Sequence, residues 1–403
     1  MDFTLSKEQI DIRDAAKRFA EGEFDPDLAE EREKHGQFPL ELFQKACALG
    51  FIGMNIPEKY GGQMLGSLEN ALIFEAFCRH DSSIGLALAL CDTGSEVLLR
   101  YGTEAQIQRF VPPLCRGKGV LSPACLEQER DPIPERFNTK AVENGGGYLL
   151  NGHKSFVFNT TLPGPMILPG RLENISGAGG TAIFVFEKDH DGLSSSVLGD
   201  RVGMRMVPMG NVVIHDLSLP RESLLAEERD GEAALALLIT EMHNRAASAG
   251  IGIAQGAFDM ALGYARRRKQ FGRRIASFEA IRGKLTDMAI KIELSRLLTY
   301  KACRGLDTGK ENAALSNMAK LVASETALEV SMDALHIFGG YGYIVDYRIE
   351  RFYRDASMVE IIGLPSLRSK KILADDVVGK RWRPDGILHE KSDKRRGSST
   401  GGL

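Results

Sequence analysis

The amino-acid sequence predicts an α+β protein of several domains, with helices at both ends and β-structure in the middle. Three observations support this prediction. Apolar residues recur with a helical period in segments between residues 6 and 114, and again between 232 and 338. The stretch between these regions carries short β-type runs separated by glycine. The chain has 403 residues, which is more than one hydrophobic core usually supports.

The N-terminal domain is predicted to be a helical bundle that covers residues 1–118. Its helices are expected at residues 6–32, 38–49, 68–90 and 104–114. Ser6 is followed three residues later by Gln9, which is typical of a capping box at the start of a helix. Gly50 is expected to end the second helix.

Residues 119–230 are predicted to form a β domain. Three consecutive glycines at 145–147 indicate a turn. Residues 148–152 and 154–158 are expected to pair as a hairpin, and residues 181–187 and 210–217 are expected to be strands.

Residues 231–380 are predicted to form a C-terminal helix bundle. Long apolar stripes of helical period cover residues 232–263, 278–303 and 313–338. Residues 381–403 are polar and basic, so we expect them to be a disordered tail.

The composition excludes several classes of protein. The formal net charge is −3 and the isoelectric point is about 6.3, so no basic field is available to hold nucleic acid. No apolar run reaches the length of about 18 residues that a membrane span needs. The six cysteines lack CxxC spacing and are typical of reduced, buried thiols. We therefore expect a cytoplasmic protein without a metal site.

Several local motifs, taken together and in order, resemble the acyl-CoA dehydrogenase family over roughly residues 1–380. They lie at residues 50–53, 56–62, 101–106, 150–154, 203–205, 216–220, 268–272, 338–343 and 354–356. The most specific are Arg-Lys-Gln-Phe-Gly at 268–272 and Phe-Gly-Gly-Tyr-Gly-Tyr at 338–343.

This resemblance implies an N-terminal helical domain, a middle β-barrel and a C-terminal four-helix bundle. It also implies FAD held at a subunit interface, usually in a homotetramer, and electron exchange with electron-transfer flavoprotein. The implied reaction is oxidation of an acyl thioester, in which a carboxylate removes the α-proton and flavin N5 takes the β-hydride. We therefore expect an acyl-CoA dehydrogenase-like flavoprotein oxidoreductase.

The first group of implied cofactor residues comprises Arg268, Gln270 and Phe271, which match the motif that reaches the FAD of a neighbouring subunit. A guanidinium suits a pyrophosphate because it donates charge-assisted, bidentate hydrogen bonds. The alternative is a solvated basic patch, since other arginines crowd the same segment.

The second group comprises Gly339 and Gly340, which match the family's glycine-rich turn near the adenine and pyrophosphate. Glycine permits a close approach of the backbone to a ligand. The alternative is an ordinary turn at the end of a helix. His336 stands where the family usually has glutamine, and its ring can also bind a phosphate or an amide.

The β domain departs from the family at its flavin contacts. Asp131 and Pro132 stand where the family has glycine and serine, and they supply a repelling charge and no N–H donor. Phe156 replaces the family's tryptophan and can still stack on a flavin. Phe158 replaces a threonine and cannot donate a hydrogen bond. The sequence therefore leaves open whether this chain binds FAD with its own β domain.

The usual catalytic carboxylate is also missing, because Gly363 occupies its position. In some relatives the base lies on an earlier helix, just before an arginine. That position falls on Asn244 if Arg245 is the arginine, and on Met242 if His243 takes its place. In the first register, Arg245 is a candidate for binding the CoA moiety of the substrate.

Four residues are candidates for a substitute base. Asp92 lies in a segment that lines the acyl pocket in the family, although a helix cap or a satisfied polar group is the alternative for it. Glu241, His243 and Glu360 lie near the expected position, each with a structural role as the alternative.

Three functions stay open. The first is an FAD-dependent oxidoreductase with an atypical base, acting on a thioester of CoA or acyl carrier protein. The second is a non-catalytic partner subunit in a hetero-oligomer with a paralogue. The third is a flavin-independent lyase or hydrolase that uses Asp92 or His243.

Overall fold

The computed structural model of this chain describes residues 4–127, 137–173 and 180–378, except for the side chain of Glu228. Helices, a mixed sheet and further helices follow one another in the predicted order, which confirms the α+β class. Asp131, Pro132 and the predicted tail at 381–403 lie outside the described residues. Among the helices of the described part, none combines the length and the apolar character that crossing a membrane requires.

The N-terminal region is helical, as predicted. Its helices are α1 (Lys7–Glu23), α2 (Pro26–His35), α3 (Leu40–Ala48), α4 (Ser67–His80), α5 (Ser82–Ala89), α6 (Ser95–Tyr101) and α7 (Glu104–Cys115). The predicted capping box is present at the start of α1. The Gln9 backbone N–H donates to Ser6 Oγ at 3.1 Å, and the Ser6 N–H donates to Gln9 Oε1 at 2.9 Å.

Two segments that were each predicted as one helix are in fact two. The first breaks at Asp25, whose carboxylate accepts hydrogen bonds from the backbone N–H groups of Asp27 and Leu28 at the start of α2. Pro26 then occupies the first turn, where its missing N–H costs nothing. The second breaks at Asp81, whose carboxylate accepts from Ile84 N at the start of α5. In both cases an aspartate cap outweighs a continuous apolar stripe.

The middle region is one mixed sheet. Its strands are β1 (Ser122–Pro123), β2 (Lys140–Asn144), β3 (Gly147–Phe158), β4 (Pro165–Glu173), β5 (Thr181–Glu187), β6 (Leu193–Val197), β7 (Met209–Pro220) and β8 (Leu224–Glu227). They follow the order β6-β7-β3-β2-β4-β5-β8, and β1 pairs with β4. The β1/β4 and β2/β4 pairs are parallel and the others are antiparallel. No pairing within the described residues joins β6 to β8 and closes the sheet.

The predicted hairpin over residues 148–158 is wrong, because this segment is the single strand β3. The glycine turn was correctly placed, and Gly145 and Gly146 link β2 to β3 with positive φ values of 57° and 104°. Gly152 serves a different purpose within the strand. A Cβ there would lie 2.5 Å from Thr139 Oγ1, so the close approach of a neighbouring segment requires glycine.

The C-terminal region is a bundle built around one long helix. Its elements are α8 (Glu228–Arg267), β9 (Lys269–Gln270), β10 (Arg273–Arg274), α9 (Glu279–Asp307), α10 (Ala313–Phe338), α11 (Ile349–Val359) and α12 (Ser366–Val378). Helix α8 packs closely on α4 through glycine. A Cβ at Gly252 would lie 2.5 Å from Glu75 O, and one at Gly256 would lie 2.3 Å from Arg79 O.

A buried carboxylate joins the three regions. Asp355 on α11 accepts hydrogen bonds from Ser82 Oγ and Ser83 Oγ, each at 2.6 Å, at the start of α5. It also accepts from the backbone N–H of Met204 in the sheet region at 2.8 Å. One turn earlier, Arg351 donates to the carboxylate of Asp81 at 2.7 Å. Helix α11 is therefore fixed to both other regions.

We predict that Asp355→Ala lowers the free energy of unfolding by about 3 kcal/mol, because three buried donors lose their acceptor. Urea unfolding followed by circular dichroism measures this change. The matched control is Asp375→Ala on the exposed side of α12, which should change stability by no more than about 0.5 kcal/mol. Equal stability of the two variants would contradict the prediction.

Candidate cofactor and proton-transfer site

Asp92 lies in a fully buried ion group between α5 and α6. Its Oδ1 atom is 2.5 Å from Nη1 of Arg245, and its Oδ2 atom accepts from the backbone N–H of Gly53 at 3.0 Å. Both carboxylate oxygens of this candidate base are therefore engaged within the protein.

Arg245, the candidate CoA-binding residue, is itself almost completely buried. Its guanidinium also pairs with Glu241, with Nη2 3.0 Å from Oε1, and donates to the carbonyl of Ala89 at 3.0 Å. The structure thus brings Asp92, Arg245 and Glu241 together in the protein interior. This ion group links α8 to the segment that follows α5.

Glu241 is the least satisfied member of this group. Its Oε1 atom accepts from Gly94 N at 2.9 Å, but Oε2 finds no hydrogen-bond partner among the described residues. Burial raises the pKa of Glu241 to about 7, although Arg245 opposes the shift. A cavity of about 10 Å³, lined in part by Asn70, Asn244 and Glu241, is large enough for about one water molecule.

Gly363, at the family's usual base position, lies in the turn between α11 and α12 with φ +79°. A Cβ placed there would lie 2.6 Å from Cδ2 and 3.1 Å from Nε2 of His243. It would also lie 3.3 Å from Cβ of Met242. The imidazole of His243 therefore occupies the volume that a side chain at position 363 would need.

His243 is buried, with 2% of its surface exposed. Its Nε2 atom has no hydrogen-bond partner within the described part of the chain. Burial, together with the nearby charge of Lys320, lowers the pKa of His243 to about 3. The ring is therefore neutral at physiological pH.

Lys320 on α10 fixes the turn that carries Gly363. Its Nζ atom donates to the carbonyl of Glu360 at 2.5 Å and to that of Leu364 at 2.6 Å. Burial lowers the pKa of Lys320 to about 8. This role of Lys320 was not predicted from the sequence, although a lysine within an apolar helix stripe was a signal for it. The side chain of Glu360 is exposed and its charge partly opposes the lowering of the Lys320 pKa, while its backbone carbonyl accepts the hydrogen bond.

Four of the predicted cofactor residues line one open cleft of about 480 Å³, namely Arg268, Gln270, Gly339 and Gly340. The guanidinium of Arg268 lies over the ring of Tyr341, 5.1 Å from its centroid. A Cβ at either glycine would meet no heavy atom within 4 Å, so the backbone of this turn is open to a ligand.

Phe271 and His336 adjoin this cleft in the chain. Phe271 lies in the turn between β9 and β10 with φ +51°, and 91% of its surface is exposed. His336 is exposed in the last turn of α10, with Nδ1 3.9 Å from Oδ1 of Asp333. A bare aromatic ring beside an open cleft is typical of a surface that another molecule covers.

The phenylalanines of the sheet lie in different environments. Phe156 on β3 has φ +53° and is 38% exposed, so its ring is free to stack. Phe158 is 2% exposed and belongs to the main hydrophobic core. Glu127 lies just before the segment in which the sequence departs from the family, and its carboxylate accepts a hydrogen bond from Lys154 Nζ at 2.9 Å.

The residues of the cleft fit FAD. A guanidinium, a side-chain amide and an unobstructed glycine backbone are the groups that a dinucleotide pyrophosphate requires. Arg268 and Gln270 would contact this part of the cofactor, and Gly339 and Gly340 would permit its approach. A bound flavin supplies hydride-transfer chemistry at a carbon–carbon bond.

The domain order and the cleft define the general class, a helix–sheet–helix protein with a cleft suited to a dinucleotide cofactor. The profile "Acyl-CoA dehydrogenase, N-terminal domain" matches residues 6–118, and "Acyl-CoA dehydrogenase, C-terminal domain" matches residues 238–372. The chain belongs to the acyl-CoA dehydrogenase family and is an acyl-CoA dehydrogenase-like oxidoreductase.

Two curated relatives and one solved structure illustrate this membership. Subunit CarC of the caffeyl-CoA reductase-Etf complex of Acetobacterium woodii is 34% identical over 359 residues, which cover 89% of this chain and 94% of the relative. The 3-(aryl)acrylate reductase of Clostridium sporogenes is 32% identical and covers 91% and 97%. Butyryl-CoA dehydrogenase from Megasphaera elsdenii matches with a TM-score of 0.87 at 28% identity, over 94% of this chain and all of its own.

The raised pKa of Glu241 predicts a specific pH dependence of stability. Between an unfolded pKa near 4.5 and a folded pKa of about 7, the folded protein binds more protons, so this group lowers stability as pH rises. Glu241→Gln should therefore gain stability relative to wild type by about 1 kcal/mol per pH unit within this window. Arg245 keeps its pairing with Asp92 in this variant.

Thermal and urea unfolding at pH 5, 6, 7 and 8 measures this difference. Glu8→Gln, at an exposed position of α1, is the control and should show a constant difference from wild type. A pH-independent difference between Glu241→Gln and wild type would contradict a carboxyl group with a raised pKa.

Proposed function

We propose that this chain binds FAD and catalyses hydride transfer at the α,β carbon–carbon bond of an acyl thioester, with an atypical proton-transfer group. The open cleft of Arg268, Gln270, Gly339 and Gly340 is the observation that carries this proposal. Its residues suit a dinucleotide pyrophosphate, and its open side leaves room for the rest of the cofactor on a second subunit.

The names of the relatives favour an enoyl thioester with an aryl substituent as the substrate, and reduction as the direction. CarC belongs to a reductase complex that contains electron-transfer flavoprotein, and the second relative reduces 3-arylacrylates. We therefore propose electron-transfer flavoprotein as the partner. The thioester carrier is either CoA or an acyl carrier protein.

We also propose that the active form is an oligomer, either a homotetramer or a hetero-oligomer with a paralogue. Phe271 and Tyr343 are both 91% exposed at or near the cleft. Ile290, Leu294 and Leu297 form an exposed apolar stripe along α9. Both features suit burial against another subunit.

The second candidate function is a non-catalytic partner subunit. The core position of Phe158 favours it, because this side chain offers the flavin no hydrogen bond. In this case the cleft would complete the FAD site of an intact paralogue, and the chain would bind no flavin as its own.

We predict that the purified protein contains flavin and shows the flavin absorption band at roughly 450 nm. Arg268→Ala should weaken FAD retention at least ~10-fold, because a charge-assisted contact to the pyrophosphate is lost. The flavin-to-chain ratio after gel filtration measures this effect. Arg266→Ala, an exposed arginine two residues earlier, is the matched control and should keep its flavin.

We further predict that 3-phenylpropionyl-CoA or butyryl-CoA bleaches the flavin of the wild-type protein, and that the corresponding enoyl-CoA reoxidises the dithionite-reduced form. Anaerobic absorption spectra measure both reactions. A colourless chain that takes up no added FAD would overturn the proposed enzyme. Its co-purification with a flavin-containing paralogue would then support the partner-subunit alternative.

A further inference from the structure

The starting observation is a close contact between helix α8 and the turn that follows α11. At the position where the family carries its catalytic carboxylate, this chain has Gly363. The space next to it is filled by the imidazole of His243 from α8, 2.6 Å from where a Cβ would lie. A larger residue at 363 and a histidine at 243 therefore exclude each other in this arrangement.

A second, independent observation concerns Nε2 of His243. This atom is buried and has no hydrogen-bond partner within the described residues. A buried polar atom without a partner is unfavourable and rare in folded proteins. The missing partner of Nε2 is explained if this nitrogen, which lies beside the family's usual base position, interacts with a substrate.

The surroundings of the ring are also informative. Lys320 on α10 is the cation whose charge acts on His243, and it holds the turn of Gly363 through the carbonyls of Glu360 and Leu364. Glu241 and Arg245 lie on the same helix, but their charges are paired with each other and with Asp92. Nε2 of the neutral imidazole has no hydrogen-bond partner among the described residues, whereas both oxygens of Asp92 are engaged.

We propose that Nε2 of His243 exchanges the α-proton of the acyl thioester, in place of the carboxylate absent at Gly363. This inference rests on the proposed function. In the oxidative direction, the C–H bond next to the thioester carbonyl breaks and an N–H bond forms at Nε2, while the electron pair stays on the substrate. That pair forms the new C=C bond as the β-hydride leaves to an acceptor of the flavin class. In the reductive direction the same proton returns to the α-carbon.

Hydrogen exchange at the α-carbon tests this proposal without net redox turnover. The flavin-loaded protein is incubated in D₂O with whichever of 3-phenylpropionyl-CoA and butyryl-CoA bleaches its flavin. Deuterium uptake at the α-carbon is followed by mass spectrometry. His243→Gln should slow this exchange at least ~100-fold, as expected for loss of a general acid–base group.

A compensating substitution sharpens the test. His243→Ala should lose the exchange of the α-proton. His243→Ala combined with Gly363→Glu should regain roughly a tenth or more of the wild-type exchange rate, because the first change makes room for the new carboxylate. Gly363→Glu alone should be more impaired than this double variant, since its side chain collides with the imidazole, whereas the strain at φ +79° is common to both. His215→Gln, on the exposed face of β7, is the control and should exchange at the wild-type rate.

Flavin content and the thermal unfolding midpoint are measured for every variant, so that a loss of exchange is compared only among folded, loaded proteins. Exchange by loaded His243→Gln within threefold of wild type would overturn the role of His243 while leaving the proposed function intact. A wild-type protein without flavin, or one bleached by neither thioester, would instead overturn the proposed function and the inference with it.

Discussion

The buried carboxylate of Asp355 is the constraint on which the rest of the structure depends. It ties α11 to the start of α5 and to the sheet region, and Arg351 adds an ion pair to the same junction. The two turns of the proposed site lie on either side of this helix. The glycine turn of the cleft precedes α11, and the turn of Gly363 follows it. Since α11 is fixed in this way, both turns keep their positions relative to α8.

The side chains of helix α8 point in two directions, toward a buried ion group and toward the proposed proton-transfer site. Glu241 and Arg245 are four residues apart and share one face, where they pair with Asp92 inside the protein. His243 points elsewhere, toward Gly363 and the turn held by Lys320. Two charged residues of this helix are thus paired within the fold, whereas Nε2 of the neutral His243 has no hydrogen-bond partner in the part of the chain that the structure describes.

The sequence was sufficient to predict features that depend on local pattern. The capping box of Ser6, the long C-terminal helices and the glycine turn before β3 follow from spacing alone. The helix breaks at Asp25 and Asp81 were missed because a continuous apolar stripe masked an aspartate cap. The cofactor-binding residues of the cleft could be predicted from the motifs at residues 268–272 and 338–343. The contact between His243 and Gly363 could not, because 120 positions separate them and only the packed bundle brings them together.

The exposed ring of Phe271 has a genetic consequence. It projects from a hairpin away from the core of its own chain, beside a cleft that we propose is completed by a second subunit. A substitution there would act in trans and damage the site of the neighbour. Two copies of this chain, one altered at Phe271 and one altered at His243, would then carry separable defects. Mixing them would restore a fraction of working sites, as intersubunit complementation.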